Sequence, residues 1–481
     1  MSETAQATRF GAREGAAARA WVAARWFPLG VAAISAAAAG FLFQQLLAWP
    51  PHEDEALPLF VGRHPLDGLF QVVLEERGGA PLHFLIAWVV AHLELGLAGL
   101  RAVSAACAVA SLPVVALLVA RLGGRVQALI ATVIVATSWT FLFHGVYGRM
   151  YSLFLLTSAL SYLTLLRALE RGGRRAWAVW AIAILATVAT HPYGALVLAS
   201  QAAFVVVARR ERLRESLWAF GAVAVLGIPF WLTDLVLAGR FDAGVGAGKR
   251  LNVVDYVWHA AGDFTAGFPV LPAVLVAAAA GLVRLPRETR VLAACASVIP
   301  LLALVVARST GSPETRHLIF LLPFAALAVA AGLARLGRVW GAAALAALVV
   351  AQISWAWDRT PELFEWEPEV RQEARAEAAA YLAATTRPND VLLGYDPLYI
   401  QAWEQSEDIP VVVLPRADAD LALHNLLGLE RPLGHGVWVF DSSKTTNVER
   451  LLKIQLVAPR PASAFDVRRF GPFLIIRTRA P

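Results

Sequence analysis

Long apolar stretches, each close to the length of a membrane span and each bounded by arginines or a short polar turn, dominate the first three quarters of this chain. A hydrocarbon core of about 30 Å takes roughly 20 mostly apolar residues in a helix. Stretches of that kind lie at 27–49, 101–120, 126–143, 150–168, 176–190, 193–208, 217–237, 268–284, 291–307, 318–335 and 339–357. A shorter one at 81–98 carries His83, His92 and Glu94 and reads as a helix lying in the interface. From about 358 the pattern changes. Residues 368–386 repeat at helical spacing, while 390–394, 410–415, 436–440 and 473–476 read as short buried strands. The predicted fold is an all-α polytopic membrane protein of about 11–13 transmembrane helices. It comprises a transmembrane domain over 1–357, with a large first outer loop at 50–80, and a small extracytoplasmic α/β domain over 358–481.

Composition sharpens this picture. Of the 481 residues 58% are hydrophobic and 16% charged, and mean hydropathy is +0.59. Soluble proteins carry about 25% charged residues, so an ordinary soluble enzyme and a disordered chain are both excluded. The formal charge of +6 resides in arginine clusters between the apolar stretches: Arg121/Arg125, Arg167 to Arg175, Arg209 to Arg214, Arg284 to Arg290 and Arg335/Arg338. Such clusters are topology signals rather than a nucleic-acid footprint. Placing them in the cytoplasm puts 50–80, 144–149, 191–192, 238–267, 308–317 and the tail on the opposite side, provided 81–98 does not cross. The first apolar stretch exceeds the roughly 7–15 residues of a signal-peptide core and reads as a retained anchor with its N-terminus inside. Segment 238–267, rich in glycine, reads as a mobile loop. Cys107 and Cys295 lie singly in apolar stretches and make neither a disulfide framework nor a zinc motif.

The polar residues of the outer segments carry the candidate chemistry. His52, Glu53, Asp54 and Glu55 open the first loop. Its carboxylates suit removal of a hydroxyl proton or capture of a divalent cation, and equally suit a solvated loop start. The second outer turn supplies His144, Tyr147, Arg149 and Tyr151, as an anion grip or as interfacial anchors. His191, Pro192 and Tyr193 form a third turn, and Arg316 with His317 precedes the span at 318–335. A guanidinium at the membrane surface matches a phosphate with its planar fork. No P-loop, Rossmann fingerprint or Ser-His-Asp arrangement occurs, so nothing points to a nucleotide. A lipid-linked phosphate donor fits better, its tail among the helices and its head at the loops.

Several motifs then follow in order: Asp54-Glu55-Ala56, Gly79-Ala80-Pro81-Leu82, Leu100-Arg101-Ala102-Val103-Ser104, Gly148-Arg149-Met150-Tyr151, Thr190-His191-Pro192-Tyr193-Gly194, and Arg316-His317 with Leu322-Pro323. In these the chain resembles the C-type glycosyltransferases, in particular the bacterial branch of protein mannosyltransferases and lipid A aminoarabinose transferases. Ala376 to Tyr381 and Arg387 to Val391 resemble the extracytoplasmic domain of bacterial members. The resemblance implies transfer of a hexosyl or pentosyl group from a polyprenyl-phosphate donor to a hydroxyl of a lipid, glycan or protein acceptor. It implies inversion, and work at the outer face of a bacterial inner membrane. By the same resemblance Asp54 acts as base or orients the acceptor, and Glu55 supports it or shares a metal.

Arg149 and Arg316 fall where relatives hold the donor phosphate, and Tyr151, His191, Tyr193 and His317 complete the expected substrate site. No definite cofactor is implied; a divalent metal ion stays open, with Asp54 and Glu55 as its candidate ligands. Glu53 and Glu55 are expected to raise the proton affinity of Asp54. The chain departs from the pattern at the second outer turn, where several relatives carry an acid. It also has Gly78-Gly79-Ala80 in place of the lysine typical of aminoarabinose transferases, which argues against that sugar. A transporter or flippase of a lipid-linked sugar, and a glycan polymerase or ligase of the same superfamily, are the alternatives.

Overall fold

The computed structural model describes residues 25–49, 51–77, 79–242, 253–306, 315–364, 369–387, 389–393, 397–405, 413–414, 434–441 and 465–479. Helix α1 (Arg25–Gln45) is the first apolar stretch. The following segment is helical rather than a loop: α2 (Glu53–Gly62), α3 (Leu66–Gln71) and a π-helical turn at Val72–Arg77. Both backbone positions before the next helix are left-handed, at Gly79 (φ 65°) and Ala80 (φ 45°), and Pro81 then starts α4 (Pro81–His92). At about 18 Å, α4 is too short to cross. The long α5 (Gly96–Gly123) follows.

The stretch at 126–143 splits into α6 (Arg125–Thr137) and α7 (Trp139–Val146), bent by 56°. Ser138 makes the break, its Oγ accepting the Phe141 N–H as a new N-cap. Next come α8 (Tyr151–Arg171), α9 (Arg174–Thr190), α10 (Gly194–Ala208) and the bent pair α11 (Leu213–Leu226) and α12 (Ile228–Asp242). The predicted mobile loop at 238–267 is partly helix α13 (Val253–Phe264), while 243–252 lies outside the described residues. Helices α14 (Leu271–Leu282), α15 (Arg287–Val306), a 3-10 turn at Thr315–Leu321, α16 (Leu322–Leu333) and α17 (Gly337–Phe364) complete the bundle.

Among the described residues four units are long and apolar enough to cross a membrane alone: Arg25–Gln45, Gly96–Gly123, Tyr151–Arg171 and the run Thr315–Thr360. The two bent pairs raise this to six. The other predicted spans form helices of 12 to 20 residues, α9, α10, α14 and α15. Many hydroxyl and amide groups within the bundle bond internally, as apolar surroundings favour. In α8, Ser158 and Thr164 bond back to Phe154 and Leu160, while Gln201 of α10 joins Ser161 to Trp180. Helices α14 and α16 approach backbone to backbone: a Cβ on Gly281 would lie 1.9 Å from the Ala328 oxygen. Residues larger than glycine there would force the two helices apart.

The arginine clusters gather at one end of this bundle. Arg121 pairs with Glu170, Arg209 Nε lies 2.8 Å from Glu288, and Arg335 donates to the Ala280 carbonyl at 3.2 Å. The predicted outer residues lie at the other end, as α5 shows by carrying Arg101 near its start and Arg121 near its finish.

The tail begins with α18 (Glu369–Thr385), followed by β1 (Val391–Leu393), α19 (Pro397–Gln405), β2 (Val413–Leu414), β3 (Gly436–Asp441), β4 (Phe465–Phe470) and β5 (Phe473–Thr478). The sheet order is β2-β1-β3-β5-β4, with β1 parallel to β2 and β3, and β5 antiparallel to β3 and β4. Positions 394, 410–412 and 415 of the predicted strands lie outside the described residues. Strand β4 has no signal in the sequence, because an edge strand reading Phe-Asp-Val-Arg-Arg-Phe exposes its two arginines and lacks an apolar run. Asp390, just before the inner strand β1, is buried and accepts from the Arg387 and His435 amides and from Arg477 at 2.9 Å.

The tail's core is not closed on itself. Ala56, Leu59 and Phe60 of α2 and Ala87 and Val90 of α4 share one apolar cluster with Ala378, Tyr399, Val437 and Ile475. The predicted division at 357/358 falls inside α17.

Candidate active site

The first turn of α2 organises the polar end of the bundle. His52 is its N-cap: the ring Nδ1 accepts the Asp54 N–H at 3.1 Å, and Glu55 Oε2 accepts the His52 N–H at 3.1 Å. This reciprocal cap satisfies two amides that a helix start otherwise leaves open. It also sends the adjacent carboxylates in different directions, since neighbours on a helix are about 100° apart.

Glu55 turns into the protein and is fully buried. Arg101 of α5 grips it with two bonds, Nε to Oε1 at 2.8 Å and Nη2 to Oε2 at 2.6 Å. The Gly148 amide adds a bond to Oε1 at 2.7 Å, so with the His52 amide all four lone-pair positions are filled. Arg101 Nη1 meanwhile binds the Leu46 and Trp49 carbonyls just after α1. One buried ion pair thus ties together the end of α1, the start of α2, α5 and the turn between α7 and α8.

Asp54 faces the other way. Its Oδ2 accepts from the Tyr147 hydroxyl at 2.9 Å and from Arg316 Nη2 at 3.2 Å, and its main-chain oxygen accepts from Arg149 Nη1 at 3.0 Å. Arg316 also lies over the rings of Tyr151 (5.1 Å) and Tyr147 (5.9 Å), a cation–π pairing that holds its guanidinium in place. Ser104 steadies Arg149 through its carbonyl at 3.2 Å, and Arg149 Nε is buried with no hydrogen-bond partner among the described residues. The 3-10 turn carrying Arg316 is anchored from α13, where Asp263 accepts the Thr315 hydroxyl.

An aromatic wall completes the site. His191 and His317 are 5.2 Å apart between ring centres, Tyr193 is 5.2 Å from His317, and Tyr151 is 5.8 Å from His191. His144 packs 4.8 Å from Tyr151, with both ring nitrogens buried and unpartnered among the described residues. The His191 Nδ1 accepts the Tyr193 amide at 3.0 Å, which requires that nitrogen to be unprotonated.

The electrostatics correct one expectation. Burial acts to raise the Asp54 pKa, but Arg149, Arg316 and the Tyr147 bond together outweigh it and hold the carboxyl well below the usual carboxylate range. Glu55 does not raise it as expected, because its charge is compensated by Arg101; the Glu53 side chain lies outside the described residues. Burial, and then the Asp54 charge, push the Tyr147 hydroxyl well above its ordinary value, so it remains a donor. Burial followed by His317 and the two arginines lowers His191 well below its ordinary value, so it is neutral. Two guanidinium groups beside one carboxylate and a neutral wall leave this end of the bundle disposed toward an anion.

All eight residues expected from the sequence meet here: Asp54, Arg149, Tyr151, His191, Tyr193, Arg316 and His317 around one site, with Glu55 behind it. The donor set does not fit a divalent cation shared by Asp54 and Glu55, since Glu55 has no oxygen to spare and Asp54 faces two cations. Among the described residues no group of three or more His, Cys, Asp or Glu is placed to hold a metal. His52, Tyr147 and Arg101 also belong to the site, although the sequence motifs that contain them assign them no definite role, and Asp263 carries no signal in the sequence at all. For Arg101 a signal existed, because an ionisable residue inside an apolar stretch marks a functional position.

No protein-family model matches the chain, and no curated protein matches it in sequence. Solved structures do match. ArnT from Cupriavidus metallidurans bound to undecaprenyl phosphate is 14% identical, with 93% of this chain and 97% of that one covered at a TM-score of 0.59. The oligosaccharyltransferase AglB from Archaeoglobus fulgidus, in complex with an inhibitory peptide and a dolichol-phosphate, is 11% identical, covering 90% and 71% at 0.57. The arabinofuranosyltransferase AftD from Mycobacteria is 16% identical, covering 95% of this chain and 40% of that one at 0.52. Over more than nine tenths of its length this chain therefore shares the fold of the ArnT structure, the fold that the resemblance of its motifs to the C-type glycosyltransferases implies.

Proposed function

We propose that this chain is an integral-membrane glycosyltransferase that moves a sugar from a polyprenyl-phosphate donor to an acceptor hydroxyl on a lipid, glycan or protein. The observation that carries the reading is the Asp54 carboxylate held between Tyr147 and Arg316, with Arg149 alongside. That is a base packed against a phosphate grip. Similar folds solved with undecaprenyl phosphate and with dolichol-phosphate support the donor class.

The chemistry follows from the pairing. A donor phosphate entering the site competes with Asp54 for Arg316 and meets the spare Nε of Arg149. Once phosphate neutralises the guanidinium groups, the field that held the Asp54 carboxyl low is relieved and its proton affinity rises. Asp54 then takes the proton of the acceptor hydroxyl as that oxygen attacks the anomeric carbon from the face opposite the phosphate. The bond from carbon to phosphate oxygen breaks with inversion, and the arginines stabilise the charge left on the departing phosphate. Glu55 and Arg101 hold the surrounding elements in position and do not touch substrate. The site works at the outer face of a bacterial inner membrane, a placement supported by the arginine clusters at the far end of the bundle.

A flippase would place charges near the middle of the spans, whereas here they gather at the two ends, which favours an enzyme. Purified protein in proteoliposomes with a synthetic polyprenyl-phosphate sugar tests the proposal. Asp54→Asn should lower turnover by roughly 10²-fold or more with donor affinity kept or tightened, because Arg316 loses its competitor. Arg316→Ala should weaken donor binding and turnover together. Near-normal turnover in Asp54→Asn, or unchanged donor affinity in Arg316→Ala, refutes the assignment.

A further inference from the structure

A cavity of about 460 Å³ opens at the end of the bundle opposite Asp54. Three arginines distant in sequence line it: Arg121 at the end of α5, Arg284 after α14 and Arg335 after α16. Among the described residues no carboxylate lines it. Arg121 is shared with Glu170, but among the described residues no carboxylate pairs with Arg284 or Arg335. Helix α6 starts at the cavity beside Gly124 and Gln127 with no side chain capping its first amides, which adds the positive end of a helix dipole. The remaining wall is apolar, with Leu285 and Ala331, and just outside it Leu282, Val283 and Leu336 are exposed large apolar residues. The distance to the catalytic end follows from α5, whose Arg101 and Arg121 are 20 positions and so about 30 Å apart.

Arginines at this end of the bundle are expected as topology signals, but such signals need no cavity and no convergence. Here guanidinium groups from three connections surround one hollow of a size that takes a small ligand or headgroup. Its mouth is cationic and its flank is apolar. That combination fits an amphiphile with a phosphate head better than a free ion.

We propose that this cavity is a second anion site, separate from the transfer site, which takes the phosphate of an anionic phospholipid headgroup. Arg284 and Arg335 grip the phosphate, Arg121 adds its charge, and the acyl chains lie along Leu282, Val283 and Leu336. The site secures the far ends of α5, α14 and α16 and does not depend on the transfer reaction.

The test uses the full-length protein, delipidated in neutral detergent, with bound lipid counted by native mass spectrometry. Phosphatidylglycerol, phosphatidylcholine and inorganic phosphate are titrated separately. The variants are Arg284→Gln with Arg335→Gln, the corresponding lysine pair, and Arg171→Gln with Arg175→Gln as exposed arginines of the same end that do not line the cavity. Thermal unfolding in neutral detergent confirms that each is folded. One phosphatidylglycerol should bind in preference to phosphatidylcholine, about tenfold or more weaker in the glutamine pair and partly restored in the lysine pair, which keeps charge but loses the fork. The Arg171/Arg175 variant should bind normally. Inorganic phosphate binding as tightly as the lipid, with the same loss in the glutamine pair, keeps the anion site and makes its source soluble. Unchanged lipid binding in the glutamine pair, or an equal loss in the Arg171/Arg175 variant, overturns the site.

Discussion

Replacing Glu55 by Gln tests the structural reading of the active site most directly, because the two adjacent carboxylates receive opposite roles. The substitution keeps size but removes the charge that balances Arg101, a guanidinium only 1% exposed. It also points an amide N–H₂ at donors: the carboxylate accepts four hydrogen bonds, two from Arg101 and two from the Gly148 and His52 amides, and an amide oxygen serves at most two. Breaking one side of a buried, hydrogen-bonded ion pair costs about 3–5 kcal/mol. Arg101→Met should cost a comparable amount, since it strands the buried carboxylate. The double variant should cost less than the sum of the two, with a coupling of about 2 kcal/mol. Unfolding in mixed micelles with graded sodium dodecyl sulfate measures all three. Turnover in Glu55→Gln should fall by roughly 10²-fold, because a displacement of about 1 Å in the α2 start moves Asp54 from its position. Wild-type stability in Glu55→Gln, or strict additivity in the cycle, refutes the pairing as the organiser of the site.

Three further outcomes are expected. Arg316→Lys should recover only part of the donor affinity lost in Arg316→Ala, since lysine cannot both meet a phosphate bidentately and lie flat over Tyr151; equal affinity to wild type would contradict the stacked fork. His191 is buried and neutral in the folded protein, so the unfolded chain binds its proton first as pH falls. Stability should therefore decline below about pH 6.5, by up to about 1.4 kcal/mol per pH unit from this group. His191→Asn, which still accepts the Tyr193 amide, should flatten that decline, and an unchanged profile would show that His191 does not drive it. Chelation with EDTA should leave transfer intact, because Glu55 is fully occupied and Asp54 faces two guanidinium groups; loss of activity restored by added magnesium or manganese would place a cation in the site.

Local pattern was enough to determine much of this protein. Apolar stretches closed by arginines specify helices and their polarity, and the structure gathers those arginines at one end as the pattern required. The helical spacing at 368–386 and the apolar runs around Val391, Val437 and Ile475 announce a small α/β unit, whereas the charged edge strand β4 gives no such signal. The sequence also marked the turns that carry Arg149, His191 and Arg316, because polar residues at the ends of spans stand out against apolar neighbours. Pattern alone does not divide labour between Asp54 and Glu55; only the family resemblance points to Asp54 as the base and Glu55 as its support. Both are exposed acids by pattern, and only the fold brings Arg101, 46 residues away, onto one and Arg316, 262 residues away, onto the other. Periodicity reports how a residue sits relative to its near neighbours. Burial, ionisation and the pairing of charges depend on which distant groups share the same few ångströms, and that is settled only when the helices pack.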